Sequence, residues 1–374
     1  MTSTPTVEAE LGFARPDHVT PDDDRPGLLR ARTQERGIPE AWDFRACEVR
    51  DMADPTRPVR HLDIAGFEAV DISGNADLQA ALAAVAADDA ITETTDRSLR
   101  EALQGSTLRL ANGRGLRLDF IADEGLINRR SGPNRLNVNL GGPDGRNGHD
   151  AAVGVHADQD VYGVPLAKLM DGTAPDVFRH RTPDGTNDEA TTYLLNMWIP
   201  IQQVTNPLVF MDRATLDQQR HQLRYGLPVD GFLERDEDEQ INDIWKFLPD
   251  ADQEFWFRSD MGPDCAYVFD TLGTPHGAGR LAGEEQLEVL FLVLDSACAA
   301  AETGDERTVA ELTAVEVPDL PDVTTDAIRA AHARMADTLR RATTSAEWVT
   351  EARSAMDAVI RKSVELRVVA TLVD

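Results

Sequence analysis

Hydrophobic and polar residues alternate with a period of two along much of the chain, which is the pattern of half-buried β-strands. In a few segments the spacing of apolar residues changes to that of a helix. The pattern predicts a mainly β fold with added helices. Strands are predicted at residues 60–72, 108–110, 116–120, 135–140, 191–201, 208–211, 265–269 and 286–294. Helices are predicted at residues 76–85, 94–104, 328–339 and 348–359.

Local signals support several of these elements. Asn75 is a good N-cap for the helix that follows it. Asn112-Gly113 is typical of the tight turn of a β-hairpin. In the two C-terminal helices, Met335 and Trp348 fall on the apolar face, so we expect both side chains in the core and these helices packed on the sheet.

The pattern divides the chain into three regions. Residues 1–56 are rich in Pro, Asp, Thr and Arg and have weak periodicity, so we expect an irregular N-terminal arm. Residues 57–304 contain the predicted strands and are expected to form one core, with an acidic, lid-like insertion at about 212–255. Residues 305–374 are expected to be a helical extension packed on that core.

Composition narrows the functional classes. The 374 residues carry a formal net charge of -29, which argues against nucleic acid or an anionic membrane as a partner. The chain has three scattered cysteines and shows neither a signal peptide nor an apolar segment long enough to span a membrane. We therefore expect a cytoplasmic enzyme that acts on a small molecule; the sequence does not indicate an oligomeric state.

The candidate chemistry begins at Val153-Gly154-Val155-His156-Ala157-Asp158. In a strand, residues two apart project from the same face, so His156 and Asp158 would enter one cavity. An imidazole and a carboxylate are two of the three ligands of a 2-His-1-carboxylate iron site, which leaves positions open for substrate and dioxygen. We expect the third ligand to be His276, in the segment Thr274-Pro275-His276-Gly277.

A second pair with the same spacing occurs at His61-Leu62-Asp63. About one such pair is expected by chance in a chain with this many acidic residues. We interpret His61 and Asp63 as the polar start of a strand, because an apolar segment follows directly.

Three segments, in the same order along the chain, resemble the iron(II)/2-oxoglutarate-dependent oxygenase superfamily, and most of all its phytanoyl-CoA-dioxygenase-like branch. The resemblance covers residues of about 135–294 and leaves over half of the chain unmatched. The matching segments are His156-Ala157-Asp158-Gln159-Asp160, then 196–201 with 206–210, and then 262–270 with Pro275-His276-Gly277.

The resemblance implies a double-stranded β-helix, a cupin-like jelly roll of two facing sheets with the metal at one end. It implies Fe(2+) bound by His156, Asp158 and His276, with 2-oxoglutarate and O2 as cosubstrates. The implied reaction oxidises an unactivated carbon of a small molecule, with hydroxylation the expected outcome, and converts 2-oxoglutarate to succinate and carbon dioxide.

One feature of the family is missing. Its members place an arginine shortly after the distal histidine, to bind the far carboxylate of 2-oxoglutarate, but residues 282–288 contain no basic residue. Arg280 is the nearest candidate, because its guanidinium can bind a carboxylate through two parallel hydrogen bonds. Arg129, Arg130 or Arg135 could supply the charge instead.

Other polar and aromatic residues complete the expected site. Arg135, Asn137 and Asn139 share one face of a predicted strand. The resemblance implies that Asn137 or Asn139 contacts the cosubstrate. For the substrate pocket we expect Trp198, Asn196 and Arg135, although Trp198 could equally belong to the core.

Two other functions remain open at this stage. A cupin-like metal-binding protein or isomerase would use the same ligands without 2-oxoglutarate. A purely structural β-sandwich would have His156 and Asp158 hydrogen-bonded to each other. Within the resemblance, halogenation is not expected, because related halogenases replace the carboxylate ligand by a small residue, whereas Asp158 is present here.

Overall fold

The computed structural model describes residues 7–35, 38–122, 125–139, 142, 144–160, 177–228 and 241–374. The strands, in chain order, are β1 (Val7–Phe13), β2 (Val19–Pro21), β3 (Leu29–Ala31), β4 (Asp43–Asp51), β5 (Phe67–Asp71), β6 (Thr107–Arg109), β7 (Gly115–Ile121), β8 (Ile127–Ser131), β9 (His156–Ala157), β10 (Arg181–Thr182), β11 (Gly185–Thr186), β12 (Thr192–Gln202), β13 (Leu208–Met211), β14 (Gln222–Pro228), β15 (Ile241–Phe247), β16 (Phe255–Phe257), β17 (Cys265–Asp270), β18 (His276–Ala278), β19 (Arg280–Leu281) and β20 (Arg361–Val373).

The α-helices are α1 (Leu62–Ala65), α2 (Ala76–Asp88), α3 (Glu93–Leu103), α4 (Gln218–His221), α5 (Glu284–Glu302), α6 (Glu306–Thr313), α7 (Asp326–Arg340) and α8 (Ala346–Asp357). Short 3-10 turns lie at Pro16–His18, Pro133–Arg135 and Arg213–Thr215. No helix in the described ranges is both long enough and apolar enough to cross a membrane.

Two large sheets organise the described residues. The larger sheet has the strand order β19-β1-β4-β16-β13-β18-β9-β15-β14-β3-β2. The other has the order β5-β17-β12-β20-β7-β6, and β8 pairs with one half of β20. Most neighbouring strands are antiparallel, and β14–β3 and β16–β4 are parallel pairs.

Aromatic side chains from the two sheets pack against one another. Phe210 and Trp256 of the larger sheet share a buried cluster with Trp198, Tyr267 and Phe269 of the smaller one. The Phe210 and Tyr267 ring centroids are 4.8 Å apart in an edge-to-face contact. The two sheets therefore face each other across a common interior, in the curled arrangement of a cupin-like fold.

Helices cover the outer face of each sheet. Helices α5, α7 and α8 contribute Leu294, Met335 and Trp348 to the core that covers the larger sheet. Helices α2 and α3 pack on the smaller sheet, where Leu82 and Leu99 belong to its outer core. This layering keeps the facing sides of the sheets free to enclose a site.

Much of the predicted secondary structure is confirmed. Asn75 caps α2 by accepting a hydrogen bond from the Leu78 amide at 3.0 Å. The predicted second helix corresponds to α3, the hairpin to β6–β7, and the two C-terminal helices to α7 and α8. The strands predicted at 191–201, 208–211 and 265–269 correspond to β12, β13 and β17.

The prediction of an irregular arm over residues 1–56 is wrong. This region contributes β1 to β4, and β1 pairs with β4 along its whole length. Several β1 residues are buried, although the segment contains charged residues. The local composition does not predict these strands, because their stability comes from pairing with strands that are distant in sequence.

The segment 286–294 was predicted as a strand but belongs to helix α5. Its buried residues Leu287, Leu290, Leu294 and Ala297 recur at helical spacing. A short apolar stretch does not distinguish a buried strand from a buried helix, and the periodicity is visible only over the full 19 residues.

The C-terminal region is not wholly helical, in contrast to the prediction for residues 305–374. The 13 residues Arg361–Val373 form β20, which lies between β12 and β7 in the smaller sheet. Along β20, Val364, Leu366 and Val368 face the outer core, while Arg361 and Glu365 face the other sheet. This alternation is the period-two pattern of a strand.

Three further predictions need correction. The segment 60–72 begins with helix α1, and only Phe67–Asp71 is a strand. Residues 136–139 lie outside any strand, and Leu140 is outside the described residues. Within the predicted lid-like insertion at about 212–255, residues 222–228 and 241–247 are the paired strands β14 and β15. Its acidic segment 234–239 falls outside the described residues.

We predict that Leu294→Ala lowers the free energy of unfolding by about 3 kcal/mol, because it opens a cavity where α5 packs on the larger sheet. Leu294 is fully buried, whereas Leu292 in the same helix is 47% exposed. Leu292→Ala is therefore the control and should change stability by less than about 0.5 kcal/mol. Urea denaturation measures both; equal losses would contradict this packing of α5.

Candidate metal centre

The two histidines are brought together by strand pairing. His156 on β9 lies opposite His276 on β18 in an antiparallel pair. Residues directly opposite each other project from the same face. Their ring centroids are 4.5 Å apart, and His276 also contacts the Phe269 ring.

Asp158 completes a group of three possible metal ligands. One ligand atom from each of His156, Asp158 and His276 lies within 4.8 Å of the other two. The His156 Nε2–Asp158 Oδ1 distance is 3.2 Å, and the His276 Nε2–Asp158 Oδ2 distance is 3.7 Å. Within the described ranges this is the one cluster of at least three His, Cys, Asp or Glu residues with such geometry.

Backbone hydrogen bonds fix the orientation of both imidazoles. The Nδ1–H of His156 donates to the Gly154 carbonyl at 2.8 Å, and that of His276 donates to the Thr274 carbonyl at 3.0 Å. Each ring therefore turns its Nε2 toward Asp158. Such hydrogen bonds set the tautomer and orientation of metal-binding histidines. The donor set fits a transition metal ion with open coordination positions.

A polar network fixes Asp158 from the other sheet. The Asn196 side-chain amide donates to the Asp158 carboxylate and, at 2.8 Å, to Glu365 Oε1. Thr271 Oγ1 donates to Asn196 Oδ1 at 2.8 Å, which sets the orientation of the amide. Arg367 Nη2 lies 3.9 Å from Asp158 Oδ2. The network links the candidate ligands to strands β12 and β20.

Burial and neighbouring charges set the protonation of the group. Burial opposes ionisation of Asp158, but His276, His156 and Arg367 outweigh it and hold the pKa of that carboxyl below its ordinary value. Burial lowers the pKa of His276 to about 4. Burial also acts against protonation of His156, but the hydrogen bond to Asp158 raises its pKa. Near neutral pH, Asp158 is ionised and His276 is neutral, as ligands must be.

A small cavity of about 290 Å³, including its opening to solvent, adjoins the histidines. It is bounded by side chains from both sheets and from the β8 region: Arg129, Ala152, His156, Trp198, Leu208, Phe269, His276, Arg361 and Glu365. Arg129 pairs with Glu365 at 2.8 Å. Trp198 thus borders the cavity, and Asn196 reaches Asp158.

Strand β20 presents two hydrogen-bonding groups that have no partner among the described residues. They are Nε of Arg361 and Oγ of Ser363, both of which are buried. Arg361 Nη1 donates to the Asn206 carbonyl at 2.8 Å, and its guanidinium lies 5.1 Å from the Trp198 ring centroid. Burial, together with the neighbouring Arg129, lowers the pKa of Arg361 to about 9. Arg361 is thus a buried cation that a bound carboxylate would stabilise.

Other predicted site residues lie elsewhere. Arg280 on β19 pairs with Glu10 at 2.6 Å and Glu285 at 2.5 Å, and it is not among the residues that bound the cavity. Arg135 also pairs with Glu10, at 3.2 Å, and is likewise outside that boundary. These acidic partners hold both arginines at the edge of the larger sheet.

The two asparagines predicted to contact a cosubstrate are on a loop, since the strand expected there is absent. Asn137 Oδ1 accepts a hydrogen bond from the backbone N–H of Asn139 at 2.7 Å. Asn139 Nδ2 donates to Asp150 Oδ1 at 2.8 Å. Neither asparagine side chain borders the cavity. Arg130, another candidate for the cosubstrate carboxylate, pairs with Asp89 at 2.7 Å and does not border the cavity either.

Sequence reasoning missed Arg361, Ser363, Glu365 and Arg367. A signal was present, because polar residues alternate with apolar ones through Arg361-Lys362-Ser363-Val364-Glu365-Leu366-Arg367. The helical spacing of apolar residues at 328–339 and 348–359 predicts a helical C-terminal region. The change to a period of two begins only after these helices, at Arg361.

We predict that His276→Ala reduces the affinity for Fe²⁺ by more than about a hundredfold while the protein stays folded, because it removes one of three ligands. His61→Ala is the matched control, since His61 precedes α1 and lies outside the ligand group. Metal content after dialysis, with circular dichroism to check folding, measures both. Full metal binding by His276→Ala, or loss of metal in His61→Ala, would show that the ligands are misassigned.

No protein-family model matches this sequence, and no curated protein matches it. Solved structures do match. One conformation of the "iron and alpha-ketoglutarate-dependent endoperoxidase NvfI" gives a TM-score of 0.53 at 14% identity, and a tryptophan-to-phenylalanine variant of NvfI gives 0.52 at 15%. Each covers 99% of both chains. A further NvfI structure gives 0.49 at 13% identity over 98% of both. At this identity, the likeness is one of fold.

Proposed function

We propose that this protein is a non-haem iron(II)/2-oxoglutarate-dependent oxygenase that hydroxylates an unactivated carbon of a small molecule. One observation carries the proposal: two of the three candidate ligands, His156 and His276, border the same cavity as Arg361, whose buried Nε has no partner among the described residues. The buried, unpartnered hydroxyl of Ser363 belongs to the same strand. A metal-binding group alone would suit many proteins. The buried cation beside it favours an anionic cosubstrate.

The strand order supports a double-stranded β-helix. Strands β16-β13-β18-β9 form one four-stranded side, and β8-β20-β12-β17 form the side that faces it. In this interpretation the barrel closes with β20, and helices α5 to α8 are inserted between β18–β19 and β20. We propose that this arrangement is that of the superfamily and of its phytanoyl-CoA-dioxygenase-like branch.

The insertion also accounts for the missing arginine. In the double-stranded β-helix, the strand that follows the one with His276 would then be β20 rather than β19. Its first residue, Arg361, would bind the far carboxylate of 2-oxoglutarate, the role that the sequence suggested for Arg280. We propose that the far carboxylate of 2-oxoglutarate binds the Arg361 guanidinium and the Ser363 hydroxyl. Trp198 Nε1, which also has no partner among the described residues, is a third donor in the same region.

Charge in the cavity fits a dianion. Arg129, Arg361 and Arg367 face two carboxylates, Asp158 and Glu365. A divalent ion would add to this positive balance, so 2-oxoglutarate would enter a site with net positive charge. The aromatic cluster of the facing sheets shields the same region from water, which strengthens these interactions.

When bound, iron(II), 2-oxoglutarate and O2 supply the oxidation of an unactivated carbon, with release of succinate and carbon dioxide. The chain's own residues bind and orient. His156, Asp158 and His276 would hold the metal, Asn196 fixes Asp158, and Arg361 would fix the cosubstrate. None of them is required as a general acid or base. Since Asp158 occupies a ligand position, we propose that the product carries no halogen.

The direct test measures succinate formed from 2-oxoglutarate by the iron-loaded protein in air, with a panel of small metabolites and excess chloride. We expect succinate formation that depends on iron and His276, and an oxygenated product without chlorine by mass spectrometry. A protein that binds metal but never consumes 2-oxoglutarate would instead support a cupin-like metal protein or isomerase. A chlorinated product would contradict the role of Asp158.

We predict that Arg361→Met raises the Michaelis constant for 2-oxoglutarate about thirtyfold, because losing a charge-assisted contact costs about 2 kcal/mol. Arg280→Met is the matched control, since Arg280 pairs with Glu10 and Glu285 outside the cavity. Steady-state kinetics at varied 2-oxoglutarate distinguishes the two. A large effect of Arg280→Met with none of Arg361→Met would restore the assignment made from the sequence.

A further inference from the structure

A lysine stands beside the candidate metal ligands in the larger sheet. Lys246 on β15 lies opposite His156, which in turn lies opposite His276. Directly opposed residues on antiparallel strands project from the same face, with Cβ atoms about 5 Å apart. Lys246 therefore projects on the side of the sheet that carries the metal group, one strand beyond it.

The Lys246 ammonium is held in an aromatic cage. Its Nζ lies 3.8 Å from the centroid of the Trp42 ring and 3.7 Å from that of Tyr225, and it forms an ion pair with Glu40. The side chain of Lys246 is only 5% exposed. An ammonium has three N–H donors, and Glu40 is its one anionic partner among the described residues.

Three of these residues, Lys246, Glu40 and Tyr225, form one wall of an open pocket, the Lys246 pocket, of about 570 Å³ including its mouth. The wall residues are His18, Arg32, Thr33, Gln34, Glu35, Ile38, Pro39, Glu40, Ala41, Tyr225 and Lys246. Its charges occur in pairs of opposite sign, since Arg32 contacts Glu35 and Lys246 contacts Glu40. The lining thus offers both signs of charge side by side.

Trp42, which packs on Lys246, also packs on the backbone beside the metal group. A Cβ atom at Gly154 would overlap the Trp42 ring, so the ring packs directly on this glycine. The Gly154 carbonyl accepts the hydrogen bond that orients His156. Trp42 therefore contacts Lys246 on one side and, on the other, the backbone that positions a candidate ligand.

We propose that the Lys246 pocket binds the substrate, and that the substrate is a free amino acid in its zwitterionic form. The proposal rests on the function proposed above. The substrate carboxylate would bind Lys246 and its ammonium would bind Glu40, so that four charges alternate in sign. A lone anion would be repelled by Glu40 and a lone cation by Lys246.

The test is calorimetric binding to the metal-free protein, which needs no catalysis. The probes are the twenty common L-amino acids, and for each one that binds, its carboxamide and its N-acetyl derivative. We expect at least one free amino acid to bind, and both derivatives to bind about thirtyfold more weakly. Failure of all twenty to bind, or equal affinity for the neutralised derivatives, would overturn the proposal.

Three variants test which side chain binds which charged group of the amino acid. Lys246→Met should abolish the preference for the acid over the carboxamide, and Glu40→Gln should abolish the preference for the free amine over the N-acetyl derivative. Lys246→Arg should retain the preference for the acid, which separates lost charge from lost folding. An unchanged preference in both neutral variants would place the substrate elsewhere.

The experiments distinguish failure of the proposed oxygenase function from failure of the proposed amino-acid pocket. His276→Ala should keep amino-acid binding and lose succinate formation. If amino acids bind but the iron-loaded protein never converts 2-oxoglutarate, the oxygenase function is wrong, whereas amino-acid binding by the Lys246 pocket is supported. If 2-oxoglutarate is converted with another class of metabolite while no amino acid binds, the pocket proposal fails alone.

Discussion

The structure depends on placing several ionisable groups between two apolar sheets. Burying a charge is costly unless it is paired and hydrogen-bonded. Here Asn196 meets this constraint by donating to both Asp158 and Glu365, while Arg129 pairs with Glu365. The partners come from other strands than the charges they stabilise, Asn196 from β12 and Arg129 from β8. The candidate ligands are thereby oriented before any metal binds.

Strand β20 makes this arrangement possible. One of its faces completes the outer core with Val364 and Leu366, and the other carries the buried charges of Arg361 and Glu365 into the interior. The insertion of four helices before β20 lengthens the chain without altering the pairing of β20 with β12. A long connection adds little to the entropic cost of forming such a pair.

The sequence predicted the elements whose stability is local. Helix α2 has its Asn75 cap and strong helix formers, and β6–β7 has its Asn-Gly turn. It also predicted the three residues that come together as the metal group, because the spacing of His156 and Asp158 holds in any extended segment. These features need no knowledge of distant contacts.

The rest depended on long-range pairing. Strands β1 and β4 are stabilised by each other and by β16 and β19, which lie far along the chain. The arginine nearest to His276 in sequence, Arg280, is held at the sheet edge by Glu10. Arg361 is distant in sequence yet adjoins the same cavity as His276. Distance along the sequence from His276 could not show which of the two arginines borders the cavity. The order of the strands shows it, because β20 lies in the sheet that faces His276.

The central claim is that one cavity holds both the metal and a dicarboxylate. Calorimetric titration of 2-oxoglutarate under argon, into the protein with and without Fe²⁺, tests it most directly. The account predicts equimolar binding that requires the metal and is weakened by Arg361→Met. Equally tight binding without metal, or no binding to the Fe²⁺-loaded protein, would contradict the account.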